Sequence, residues 1–258
     1  NNKFSSILIE NVDLVDEDSK FILNRSVALV ISKRSVGVLS GTVFEQNYDK
    51  AFGGAIYATV ASSLACSGCT MKANSSNGFG GAVFVETNSY VTFSLSQFLG
   101  NKGKFSSAAY LISSRYTSTF DRCSFIDNYA ESYGTVYLAE TKVDFASCKM
   151  LNNQVGEGGS GIALSGGKLN ISNSVFSMQT SRSSAFINAL SSSEVNIANS
   201  EFSKGTSTSQ GGAISLSKST LSLSSSSIFS ISSAEGGSIF AEESTIVVVN
   251  SSFSNNTS

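Results

Sequence analysis

An apolar residue recurs along this chain every 25 to 27 positions, and in the first half an asparagine follows it three residues later. Phe44 leads to Asn47, Met71 to Asn74, Phe98 to Asn101, Phe125 to Asn128 and Met150 to Asn153, and the apolar series continues through Phe176, Phe202, Ile228 and Phe253. A period this regular predicts stacked copies of one supersecondary unit, none able to bury its apolar face alone. Seven and five residues before most anchors stand further apolar residues, as in Val91/Phe93, Val143/Phe145, Leu169/Ile171, Val195/Ile197 and Leu221/Leu223. The residue between them is polar (Thr92, Asp144, Asn170, Asn196, Ser222), and this period of two predicts a strand with one buried face. The position two before the anchor is small: Cys69, Ser96, Cys123, Cys148, Ser174, Ser200, Ser226, Ser251.

A second strand opens on Gly53-Gly54-Ala55-Ile56, echoed by Gly80-Gly81-Ala82-Val83, Gly211-Gly212-Ala213-Ile214 and Gly236-Gly237-Ser238-Ile239. Paired glycines fit a tight corner. One column here reads as small throughout: Ala28, Ala55, Ala82, Ala108, Thr135, Gly161, Ala185, Ala213, Ser238. Two or three short strands in some 26 residues leave no chain for crossover helices. The economical all-β solution is a single-stranded parallel coil, about ten turns of ~26 residues, with equivalent strands ~4.8 Å apart. Residues 1–258 read as one continuous body with 1–25 an atypical first coil. A β-propeller is the alternative, but its blades need about 40 residues. In the coil the anchors stack as an internal apolar column. The asparagines become an amide ladder, each side chain donating to one neighbour and accepting from the other. That ladder lapses at Gln179, Gly205 and Ile231 and returns at Asn256.

Composition changes this picture mainly by exclusion. Apolar residues make up 41%, enough for a core despite the many serines, and the net charge of -2 with scattered Lys and Arg argues against nucleic acid. His, Pro and Trp are absent, which removes the commonest catalytic base and metal ligand. No apolar run approaches the ~18 residues a membrane helix needs. The chain begins Asn1-Asn2-Lys3 and ends inside a repeat, and so reads as a section of a longer protein.

Candidate chemistry is sparse. Cys66 and Cys69 form one C-x-x-C without a second pair, which does not make a zinc site. Cys123 and Cys148 share the small column on adjacent turns, where stacked free thiols are preferred over a disulfide. Asp121, Asp127 and Asp144 fall in three different columns, so the paired carboxylates of acid–base chemistry are not formed. Asp13, Asp16, Glu17 and Asp18 cluster in the first turn and read as a solvated edge. No cofactor and no metal is implied. Recognition has one candidate row: Tyr57, Phe84, Tyr110 and Tyr137, two residues beyond the small column on four consecutive turns. Apolar columns flank it, Ile56, Val83, Val136 and Ile162 on one side and Val85, Leu111, Leu138 and Leu164 on the other. If the flanks face inward the rings form an outward stripe suited to a sugar, another protein or a sister rod; if the rings face inward the flanks make the apolar exterior; or a neighbouring loop covers the face. Of the N-x-[S/T] sequons, Asn24, Asn170 and Asn250 are the candidate glycan acceptors, while Asn74 belongs to the ladder.

The combination of Phe44-Glu45-Gln46-Asn47, Phe98-Leu99-Gly100-Asn101 and Phe125-Ile126-Asp127-Asn128 with Gly53-Gly54-Ala55-Ile56, Gly80-Gly81-Ala82-Val83 and Gly211-Gly212-Ala213-Ile214 resembles the repeats of chlamydial polymorphic outer-membrane proteins. Similar repeats occur in surface proteins of ciliates and other protists. The resemblance implies a right-handed parallel β-helix of the pectin-lyase-like kind, displayed outside the cell. In the bacterial members it implies an autotransporter adhesin passenger. The sequence thus leads to an expectation of a non-catalytic extracellular or cell-surface rod. It would be structural or adhesive, meet protein or carbohydrate partners, and self-associate into filaments. The alternatives are a polysaccharide-active enzyme on the same scaffold and a bacterial passenger segment.

Overall fold

A computed structural model describes residues 3–4 and 7–258, with side chains given for 7–157 and 161–258. Among them every strand pairing is parallel and in register with the repeat. Anchor strands such as Thr70–Lys72, Gln97–Leu99 and Ser124–Ile126 lie side by side, with Met71 opposite Phe98 and Phe98 opposite Phe125. Eleven described strands form this ladder. Ten steps of ~4.8 Å make a rod face of roughly 48 Å. The alternating strands stack likewise (Ser63–Ser67, Tyr90–Ser94, Thr117–Asp121), as do the strands after the glycine corner (Ile56–Ala58, Val83–Val85, Ser106–Ile112). Each turn of chain therefore contributes to three faces around one interior, which is a parallel β-helix.

The interior is what the periodicity selects. Phe44, Met71, Phe98, Phe125, Met150, Phe176, Phe202 and Ile228 are fully buried, and so are Val91, Phe93, Phe120, Val143, Leu169 and Leu221 from the alternating strands. Rings stack coil upon coil: Phe98 and Phe125 lie 4.7 Å apart at 7°, Phe176 and Phe202 4.8 Å apart at 18°. The apolar column reaches further back than the 26-residue period shows. Phe21, only 23 residues before Phe44, stacks on it at 4.7 Å, and Lys3–Phe4 pairs with Lys20–Phe21.

The corners explain the serine content. Each coil turns at residues in the left-handed region, just before and just after the anchor strand. Examples before it are Leu95, Arg122, Ser147, Asn173 and Asn199, and after it Gln46, Ala73, Asp127, Asn152 and Met178, all with φ between 49° and 56°. Such residues cost about 1–2 kcal/mol each unless their surroundings fix them. In most coils the next residue is a ladder residue, the bends at Lys204 and Ser230 being followed instead by Gly205 and Ile231. After the first bend comes the small column, which is a hydroxyl and thiol ladder: Ser96 Oγ accepts the Cys69 N–H at 3.1 Å and donates to Ser94 O at 2.8 Å, and Ser174, Ser200 and Ser226 repeat the pattern. After the second comes asparagine. Asn101 Oδ1 accepts both the N–H and the Nδ2 of Asn74 (3.0 and 3.1 Å), and its own Nδ2 donates to Met71 O at 2.9 Å and Asn128 Oδ1 at 3.0 Å. A third bend, for example Thr87-Asn88, precedes a serine, and Ser89 Oγ accepts the Ser62 N–H at 3.0 Å. Buried corner amides are thus satisfied by short side chains at all three edges.

Two sequence expectations are corrected here. The column taken as small throughout is not small in the eighth coil. Ile187 pairs with Ile162 and Ile214, so Phe186, not Ala185, stands in line with Gly161 and Ala213. Phe186 is fully buried and packs edge-on against Phe202 at 5.5 Å. It occupies the room that ladder asparagines fill elsewhere, since a Cβ on Gly205 would lie 2.5 Å from its ring. The glycine corner is also partly a matter of space rather than dihedral freedom. Gly80 has φ +60°, but Gly81 is required because a Cβ there would meet Lys102 O at 2.3 Å.

Candidate recognition face and its cleft

The flanking columns settle which way the aromatic row points. Ile56, Val83, Val136 and Ile162 are fully buried and Val85, Leu111, Leu138 and Leu164 are nearly so, all in the core; Tyr57, Phe84, Tyr110 and Tyr137 lie on the outer side, opposite one another in register. They do not form a bare stripe, however. Phe84 is only 2% and Tyr110 8% exposed. A second aromatic from the segment just before it packs along the row, Tyr133 within the same strand (Tyr129–Ala146) as Tyr137. Phe52 stacks on Tyr57 at 4.6 Å, Phe79 on Phe84 at 5.3 Å, and Tyr133 lies 4.6 Å from Tyr137; Phe105 joins Phe79 at 5.2 Å and Tyr133 at 5.6 Å. The covering layer is therefore itself aromatic, and the solvent-facing rings are Phe52 and Tyr133, with Phe79 and Phe105 half-buried. The signal was present in the sequence, because an aromatic precedes each member of the row by four or five residues.

Both layers stop at the same place. Below Tyr137 the register continues to Ala163, Asn188 and Ser215. The step from Tyr137 to Ala163 opens a cleft of about 650 Å³, walled on one side by Phe105, Tyr133 and Tyr137 and on the other by Arg182, Asn188 and Leu190, with Glu157 also lining it. That volume lies within the ordinary range of ligand sites.

Burial weakens the acidity of these phenols. Tyr57 is pushed up to about 12, by burial first and then by the hydrogen bond its hydroxyl donates to Glu86 Oε1; burial also raises Tyr110 and Tyr137. A folded-state value above the unfolded one means that the neutral phenol stabilises the fold below pH ~10, and that this contribution is lost as pH rises towards 12. Spectrophotometric titration is expected to show tyrosines ionising above the ordinary range, with Tyr57→Phe removing one of them and lessening the loss of stability between pH 10 and 12.

The other candidates are dispersed. Asp121 pairs with Arg122 at 2.8 Å, Asp127 accepts from Asn152 at 2.6 Å, and Asp144 accepts from Asn170 at 2.7 Å. In register, Asp121 faces Ala146, and Asp144 faces Thr119 and Asn170, so no carboxylate opposes another there. In the first turn Asp16 accepts from Ser19 and Thr42, while Asp13 and Glu17 are exposed. Among the described residues no group of three or more His, Cys, Asp or Glu side chains could hold a metal. All four cysteines are free and buried, and burial pushes the Cys66 thiol well above its ordinary range. Of the sequons, Asn250 is exposed and Asn170 half-buried. Asn24 is instead buried, its Nδ2 donating to Asn47 Oδ1 at 2.7 Å. It extends the interior ladder and has no room for a glycan in the folded coil.

Residues 1–176 match the family described as right-handed beta helix region. The chain belongs to this family. The match fixes the hand of the β-helix, and the remaining coils continue the same register to Ser252–Ser254. No curated protein and no solved structure matches the chain. Among the described residues no helix is long and apolar enough to cross a membrane.

Proposed function

We propose that this β-helix is a non-catalytic rod of the cell surface or extracellular matrix, and that it recognises a partner through its aromatic face. One observation carries the reading: aromatic side chains align in register on four consecutive coils and end at an open cleft, whereas acidic side chains do not line up in this way. Hydrolysis or elimination on a polysaccharide needs acid–base groups converging on one bond. Rings converging on one surface suit binding instead. The resemblance to chlamydial polymorphic outer-membrane repeats and to protist surface repeats supports an adhesive role, as do the exposed sequon at Asn250 and the ladders that rigidify the rod. The Ser-rich sequence favours a protist surface or matrix protein, and side-to-side or end-to-end association into filaments is part of the same proposal.

Incubating the protein with pectin-like and alginate-like polymers should leave their chain length unchanged; cleavage would overturn the non-catalytic assignment. Treating intact source cells with a protease should remove the protein from them. Full protection until the cells are lysed would overturn the surface assignment.

A further inference from the structure

The two aromatic columns make a stack that lacks its next ring. Tyr57, Phe84, Tyr110 and Tyr137 follow one another with centroids 5.3, 5.7 and 4.6 Å apart, close to the rise of the coil. The following position in register is Ala163. The outer column runs Phe79, Phe105 and Tyr133, and the sequence has Gly158-Gly159, not an aromatic, four to five residues before Ala163. Tyr133 and Tyr137 consequently line an opening beside a short side chain, in a cleft whose opposite wall carries Arg182 and Asn188. Arg182 is exposed and in no ion pair among the described residues.

We infer that the cleft takes an aromatic side chain of a partner polypeptide, seated above Ala163 as the missing member of the stack. Offset or tilted ring pairs 4.5–7 Å apart are favourable beyond the area they bury, and the rings already present adopt that spacing. The polar rim fits a polypeptide rather than a purely anionic ligand. Arg182 supplies only donors, Asn188 supplies donors and an acceptor, and Glu157 supplies acceptors. A peptide backbone presents carbonyls and N–H groups in alternation, and so can use all three. The inference rests on the aromatic face being a recognition surface. It is separable from the surface location, because binding of a peptide by an intracellular protein would break the location and leave the cleft intact.

The chain has no tryptophan, so a tryptophan peptide can be observed alone. The probe is capped Ser-Gly-Trp-Gly-Ser titrated with the intact protein while tryptophan emission is followed. A saturable blue shift is expected. Ala163→Tyr, which supplies the missing ring from the chain itself, should weaken binding roughly tenfold or more, on the scale of one lost ring pair. Arg182→Gln, at an exposed position, should weaken it several-fold without moving the thermal midpoint, and it decides the matter if Ala163→Tyr does not fold. The absence of a saturable shift, or full affinity in a folded Ala163→Tyr or, where that variant does not fold, in Arg182→Gln, would overturn the proposal. So would displacement of the peptide by a neutral glucose hexamer at equal concentration, which would assign the cleft to a saccharide.

Discussion

Replacing Asn101 by alanine is expected to destabilise the protein by roughly 4 kcal/mol, near the upper end for a single substitution. The residue is fully buried, and its Oδ1 is the acceptor for both the N–H and the Nδ2 of Asn74. Its Nδ2 serves Met71 O and Asn128 Oδ1. Truncation therefore removes partners from donors and acceptors in both neighbouring coils at once, at about 1–3 kcal/mol for each group left unsatisfied. It also frees the left-handed bend at Gly100, which the ladder residue immediately follows. Asn101→Asp keeps the acceptors but loses the donors and buries a charge, so it should be no better tolerated. Lys102→Ala, next in the chain but exposed, should change stability by less than ~0.5 kcal/mol. Chemical denaturation measures the shift. Because each coil contacts only its neighbours, hydrogen exchange should show the opening centred on the coils of Asn74, Asn101 and Asn128.

The second large effect is expected at Phe186. Phe186→Ala should cost about 3–5 kcal/mol, the range for truncating a buried phenylalanine. The ring touches the edges of Phe176 and Phe202, and it lies where the amide ladder has lapsed to Gln179 and Gly205. The site offers a test of exchange between the two ways of filling a corner. Gly205→Asn alone should destabilise, because its Cβ would lie 2.5 Å from the Phe186 ring. Combined with Phe186→Ala, the new side chain gains the room of the ring, and Ala185 Cβ, 2.8 Å from the new Cβ, still has to shift. The double variant should then lose less than the sum of the single losses, a coupling readable in a double-mutant cycle. Additive losses would mean that Phe186 and the ladder position do not compete for space.

These two sites mark what the sequence could and could not disclose. The anchors, the inner pairs and the asparagine ladder were legible because like residues must stack in a coil, and stacking writes a period into the chain. Phe186 was not, since a period averaged over copies pulls its column to Ala185, one residue away, and only pairing with Ile162 and Ile214 fixes the true register. Phe21 was lost for a similar reason, its coil being shorter than the rest. The left-handed bends fall on residues as varied as Leu95, Arg122, Ala73 and Met178, which no propensity would select. What singles them out is the polar ladder residue that comes next. At the candidate site the inner aromatic row was visible, but its orientation was not, because apolar columns lie on both sides of it. The outer row of Phe52, Phe79, Phe105 and Tyr133 was overlooked, although its spacing of four or five residues ahead of the inner row was there to be read.

The stacking of coils along one axis is tested most directly by distances between paired spin labels on one outward column. Val38, Thr119, Asn196 and Val247 belong to a single file, with Thr119 three, Asn196 six and Val247 eight coils from Val38. Labels at Val38 paired in turn with the other three should report backbone separations of roughly 14, 29 and 38 Å, rising by ~4.8 Å per coil. Separations that level off or shrink, with Val38 and Val247 close together as in a closed ring of blades, would contradict the β-helix and every surface assigned on it.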